Sequence, residues 1–301
     1  MSGTYRGIFP MLITPFDHSG NVSLDELAAI AHRQLKVGVA GLSILGLAGE
    51  SAALTSAARK SIARLVLSIA KGVPVIVGCT APDTATSTEL ALDAAQHHAA
   101  VIMVAPPSRT DWSVDQLLEH YGRVADAIHP TPLMVQDAPA FIGVSLSPEF
   151  IIRLAQRCPN VTYAKPESVP AVDAVSQLIS LPGMGIFGGH GGLYFLEVLE
   201  VGAHGLIPGC AQPELFQRIF ATWTRGDKES ARAAFHEALP LLVWQFQSLD
   251  CFIASEKTLL HAQGLTKHPS LRGREWPMGS ASKRILLANA RRLGILGLTE
   301  E

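Results

Sequence analysis

Charge is scarce and evenly divided in this chain. Only 17% of its 301 residues are Asp, Glu, Lys or Arg, with 24 basic side chains against 26 acidic ones. Without clustered cations there is no footprint for a phosphate backbone, so a nucleic-acid partner is excluded. Cysteine is sparse as well: Cys79, Cys158, Cys210 and Cys251 lie far apart and form no CxxC pair. That spacing argues against a disulfide framework and fits a reducing cytoplasm. No run of about 18 apolar residues exists, so no membrane span is expected, and the first residues lack the apolar core of a signal peptide. The eleven histidines contain no HxxxH or HExxH pattern. His97 and His98 read as a surface pair near a helix end, and no metal site is expected.

What the chain does have is apolar bulk, 48% of the sequence, delivered in short runs rich in Val, Ile and Leu. These runs cover residues 7–14, 39–45, 73–79, 99–105, 131–136, 161–165, 185–189 and 203–207. Apolar on both faces, they read as buried parallel strands, since a strand with one wet face would alternate. Segments of helical spacing separate them. Ser23 and Glu26 have the spacing of a capping box, with Gly38 as the stop signal. Thr55 or Ser56, Asp83 and Ser113 begin the next helices, and Ser147 precedes Pro148 at a first helical position. Further helices are expected near 168–180, 190–201 and 213–225. No GxGxxG turn follows any strand, which disfavours an open dinucleotide-binding sheet. The expected fold is therefore α/β, a (β/α)8 TIM barrel over residues 1–225. Residues 226–301 read as a C-terminal helical region packed on it, with helices at 227–249, 254–262 and 280–293 and a turn at 271–277.

In a parallel barrel the reactive groups collect at the C-terminal ends of the strands. Of the eight lysines, only Lys165 ends an apolar strand. Desolvation there would lower its pKa and free the amine to attack a carbonyl; the alternative is a lysine that reaches solvent or pairs with Glu167. Glu167, two residues on, shares the face of Lys165 while the chain stays extended. It suits proton transfer, or equally a plain salt bridge or a helix cap. The loop at 46–51 could offer backbone N–H groups to a carboxylate. The glycine-rich turn at 188–192 could let a ligand approach the backbone, or only satisfy a tight turn. His190 is the one histidine at a strand mouth.

These strand ends, in this order, resemble the dihydrodipicolinate synthase / N-acetylneuraminate lyase family of class I aldolases and dehydratases. The resemblance runs from Gly7 to the C-terminal helices. Gly46, Leu47, Ala48, Gly49, Glu50 and Ser51 look like the family's carboxylate loop, and Lys165 falls where the family carries its Schiff-base lysine. The resemblance also implies departures. Leu47 and Ala48 replace the loop's two threonines, Gln136 replaces the strand-five tyrosine, Phe141 stands for an arginine of the true synthases, and Pro107 or Ser108 for the tyrosine after strand four. The turn of Gln136, Asp137, Ala138 and Pro139, with Lys165 and Glu167, looks closest to the 2-keto-3-deoxy-L-arabonate dehydratase branch.

The resemblance thus implies a Schiff-base lyase acting on a small 2-keto acid. Lys165, Glu167 and Gln136 would be the catalytic residues, and the backbone at Leu47, Ala48 and Gly49 would hold the C1 carboxylate. Gly189, His190 and Ile207 would line the pocket. Dehydration of a 2-keto-3-deoxy sugar acid is the expected reaction. A pyruvate-releasing retro-aldolase uses the same lysine but breaks C3–C4, and a non-catalytic ligand-binding barrel is the reading from another class. Dihydrodipicolinate synthesis is disfavoured by the departures. No metal, nucleotide or flavin cofactor is required, because the lysine supplies the electron sink. The resemblance also implies a homo-oligomer, commonly a tetramer.

Overall fold

The computed structural model describes residues 4–272 and 278–296. Its frame is an eight-stranded parallel sheet in the order β1-β8-β7-β6-β5-β4-β3-β2. The strands are β1 (Gly7–Ile8), β2 (Leu42–Ile44), β3 (Val75–Gly78), β4 (Val101–Val104), β5 (Leu133–Asp137), β6 (Val161–Pro166), β7 (Gly185–Gly188) and β8 (Gly205–Leu206). The sheet curls until its first and last members meet. Just beyond β1, Met11 bridges both Ser43 on the β2 side and Gly209 on the β8 side. Backbone bonds run from Met11 N to Pro208 O (2.8 Å) and from Leu12 N to Ser43 O (2.8 Å), giving a TIM-barrel-like arrangement.

The ladders are shorter than the apolar runs. Residues 9–14 are buried like a strand, yet Pro10 has no N–H to donate, and the chain shares its bonds between two neighbours. Hydrophobic runs report burial, and burial outlasts the ladder at both strand ends. The two-faced pattern has a direct cause. Val101 and Met103 of β4 point into the barrel with Phe9, Met134 and Phe187, while Ile102 and Val104 face the helices.

The helices are α1 (Leu24–Val37), α2 (Ser56–Ala70), α3 (Thr84–Gln96), α4 (Val114–Ile128), the short α5 (Pro139–Ile142), α6 (Pro148–Arg157), α7 (Ala171–Leu178), α8 (Phe195–Glu200), α9 (Pro213–Thr224), α10 (Lys228–Gln245), α11 (Leu249–Ala262) and α12 (Ser280–Arg292). Thr55, Asp83 and Ser147 each accept an N-cap bond as expected, and Gly38 closes α1 in the left-handed region at φ 79°. The capping box at Ser23 and Glu26 does not form. Ser23 makes no side-chain cap bond, and Glu26 instead accepts from the Lys267 amide at 3.1 Å. The full box lies at α4, between Ser113 and Gln116.

Two boundaries are corrected. α7 starts at Ala171, after Pro170 in extended backbone. The expected helix at 227–249 ends at Gln245, and α11 begins at Leu249, capped by the Ser248 hydroxyl on Cys251 N at 3.1 Å. The turn expected at 271–277 lies mostly outside the described residues. No described helix is long and apolar enough to cross a membrane.

Candidate active site

On β6 the alternation of side chains sends Tyr163, Lys165 and then Glu167 toward the barrel axis. Tyr163 joins the internal cluster; Lys165 and Glu167, 6% and 4% exposed, crown it. Lys165 Nζ lies 2.5 Å from Glu167 Oε2. β5 supplies the third group. Gln136 is the register partner of Lys165, and its Nε2 donates to the same Glu167 oxygen at 2.7 Å. The other oxygen, Oε1, accepts the backbone N–H of His190 at 2.8 Å.

The electrostatics follow from this packing. Burial alone would raise the Glu167 carboxyl, but the charge of Lys165, the field of His190 and the hydrogen bonds from Lys165 and the His190 amide outweigh it and hold the group below the usual carboxylate range. Burial lowers His190, only partly opposed by Glu167 and reinforced by Lys165, so its imidazole is neutral near pH 7. The lysine nitrogen and the carboxylate are thus stripped of most water and stand within reach of direct proton transfer.

A cavity opens over this pair, lined by Lys165, Glu167, Gln136, Leu47, Ala48 and Ile207, with Phe141, Phe246, Leu249 and Phe252 on its far wall. It holds about 40 Å³ of water-accessible space, on the order of three waters. A larger cavity of about 450 Å³ shares Leu47 and Gln136 with it as lining residues and extends to Thr80, Ser108 and Arg109. The loop at 46–51 presents free donors here. The amides of Leu47 and Ala48 have no protein acceptor among the described residues, whereas those of Gly49 and Glu50 turn back onto Gly46 and Leu47 carbonyls at 3.0 Å each.

The residues expected at the site therefore divide. Lys165, Glu167, Gln136, Leu47, Ala48 and Ile207 share one cavity. Gly49 sits behind the loop with its amide spent. Gly189 touches the site by having no side chain: a Cβ there would lie 2.1 Å from Glu167 Oε1. The His190 ring does not line the cavity but packs among Phe141, Tyr194 and Phe246, at centroid distances of 6.3, 5.1 and 5.7 Å. Sequence reasoning missed Phe246, Leu249 and Phe252. The only signal for them was the capping serine, Ser248, that breaks α10 from α11.

The fold is a parallel α/β barrel with a buried lysine–carboxylate pair at its strand mouths, the face at which barrel enzymes carry their reactive groups. The chain belongs to the dihydrodipicolinate synthetase family, whose model matches residues 4–293, and it is an enzyme of the lyase class. It is 33% identical over 301 residues to the L-2-keto-3-deoxyarabonate dehydratase of Azospirillum brasilense, covering 98% of this chain and 96% of that protein. It is 30% identical over 241 residues to the 4-hydroxy-tetrahydrodipicolinate synthase of Methanopyrus kandleri, covering 78% and 80%. Among solved structures, the dihydrodipicolinate synthase of Rhodopseudomonas palustris superposes with a TM-score of 0.89 at 25% identity, over 95% of this chain and 97% of that one. YagE, a prophage protein of the same family from E. coli K12 in complex with pyruvate, gives 0.88 at 25% identity, over 97% and 99%.

Proposed function

We propose that this enzyme dehydrates a 2-keto-3-deoxy sugar acid through a Schiff base on Lys165. The observation that carries the reading is the buried contact of Lys165 Nζ with Glu167 Oε2 at 2.5 Å, under a Gln136 donor at 2.7 Å. Glu167 takes the ammonium proton as the amine attacks C2, and returns it to the carbinolamine hydroxyl, which leaves as water. The resulting protonated imine acidifies C3–H. Glu167 removes that proton and delivers it to the C4 hydroxyl, so a second water departs and a conjugated imine remains. Loss of a proton from C5 and its return at C3 turn the C3=C4 alkene into an enol, which ketonises to the aldehyde, and hydrolysis at C2 consumes one water and releases Lys165, for a net loss of one water from the substrate.

Gln136 fixes Glu167 while it cycles between carboxylate and acid. The free amides of Leu47 and Ala48 receive the C1 carboxylate, Ile207 walls the reacting carbons, and Gly189 and His190 act behind Glu167. The larger cavity is mostly apolar but has Thr80, Ser108 and Arg109 on its wall, which could hydrogen-bond a hydroxylated tail. The likeness to a keto-deoxyarabonate dehydratase along 98% of the chain supports this choice of substrate. The same reading takes residues 1–225 as the catalytic barrel and 226–301 as a helical region packed on the barrel, in a cytoplasmic homo-oligomer, a tetramer. The test is incubation with 2-keto-3-deoxy sugar acids. Dehydration yields a keto-acid semialdehyde and no pyruvate; release of pyruvate would replace it with a retro-aldolase.

A further inference from the structure

Lys257 is a second buried lysine, 1% exposed, on a helix far from Lys165 in sequence. Its Nζ contacts Glu50 Oε2, donates to the Ser270 carbonyl at 2.6 Å and lies 4.3 Å from the centre of the Phe16 ring. Glu50 belongs to the loop whose Leu47 and Ala48 amides are free. It sits in the left-handed region at φ 54°, as does Leu45 at φ 58°, a conformation that non-glycine residues hold only when their surroundings impose it. The surroundings here are specific. Glu50 Oε1 accepts the Arg272 amide at 2.9 Å, and the Gly49 carbonyl accepts the Thr14 hydroxyl at 2.7 Å.

Every one of these ties grips the C-terminal half of the loop, and none touches the two free amides. From this geometry we infer that Lys257 is a positioning residue: through Glu50 it sets the direction of the Leu47 and Ala48 amides, and so the affinity for the substrate carboxylate. The inference rests on the proposed imine chemistry, which makes those amides a carboxylate site. Residues 46–49 of the loop carry no side-chain hydroxyl or other donor, which leaves the backbone direction to decide binding. The pair is buried and neither residue lines the cavity over Lys165, so it transfers no proton to the substrate.

The test compares two carbonyl compounds that add to the same lysine. Pyruvate carries the carboxylate; hydroxyacetone replaces it with a neutral CH2OH. Each is titrated against the enzyme, and the imine is trapped with borohydride and quantified by mass. In Lys257→Met the half-saturating pyruvate concentration should rise roughly tenfold to a hundredfold, the weight of one ionic hydrogen bond, with hydroxyacetone changed less than about twofold. Because an unpaired Glu50 could unfold the chain, the double variant Glu50→Gln, Lys257→Met is measured alongside and should show the same selective loss. Equal changes for both compounds, no change for either, or loss of folding in both variants would overturn the inference. Failure of the wild-type enzyme to trap any adduct would instead overturn the imine reading on which it rests.

Discussion

Gln136 and Lys165 are register partners on adjacent strands, and both reach the same oxygen of Glu167, at 2.7 and 2.5 Å. The amide can only donate to that oxygen from Nε2, while the ammonium can surrender a proton to it. The shared atom is thus where one group orients and the other reacts, and its chemistry gives the most direct predictions.

Glu167→Gln keeps the shape of the side chain and removes its basicity. Loss of a positioned acid–base group costs about 10²- to 10⁴-fold in kcat. Lys165 remains, so a slowly formed adduct with pyruvate should still be trapped by borohydride. Wild-type turnover in this variant would remove Glu167 from the mechanism.

Gly189 is glycine because of Glu167. A Cβ would meet Oε1 at 2.1 Å and Cδ at 2.4 Å, so Gly189→Ala must push the carboxylate off Lys165. A displacement of that order costs up to roughly 100-fold in rate, with overpacking of about 1–3 kcal/mol in stability. Steady-state kinetics and thermal melting separate the two effects. Unchanged kcat would show that the carboxylate position is not critical.

A second buried carboxyl contributes to the pH dependence of stability. Glu256, fully buried, accepts the amides of Cys210 at 2.6 Å and Ala211 at 2.8 Å and the Gln245 side chain at 3.1 Å. Burial pushes it up to about 7 despite those bonds. A raised folded pKa means that the native state binds the proton more tightly than the unfolded one. Stability from this group is therefore full below the ordinary value of 4.5 and lost as pH rises toward 7. The loss is on the order of a few kcal/mol. The melting temperature of the wild type should fall relative to that of Glu256→Gln between pH 5 and pH 8. An equally steep slope in the variant would assign it to other groups.

The barrel was legible because its strands are buried on both faces, a pattern local to each run, and because the helix caps are written in neighbouring residues. The Lys165 and Glu167 pairing was legible for the same reason: two residues apart in extended chain, they share a face. Register is not local. Nothing in the run at 131–136 says that Gln136 stands opposite Lys165, and its role came only through the family resemblance. Phe252 and Lys257 were hidden more deeply. They lie on a helix whose sequence spacing reports that it is buried but not against what, so a lysine there gives no sign of its partner. The box at Ser23 and Glu26 failed because Glu26 found a partner at Lys267, 241 residues away, which no local motif can anticipate.

The central claim is that Lys165, and not the other buried lysine, carries the substrate. Borohydride reduction in the presence of pyruvate or a 2-keto-3-deoxy sugar acid, followed by peptide mass spectrometry, measures this directly. The adduct should map to Lys165 and vanish in Lys165→Ala while persisting in Lys257→Met at saturating pyruvate. An adduct on Lys257, or none at all, would contradict it.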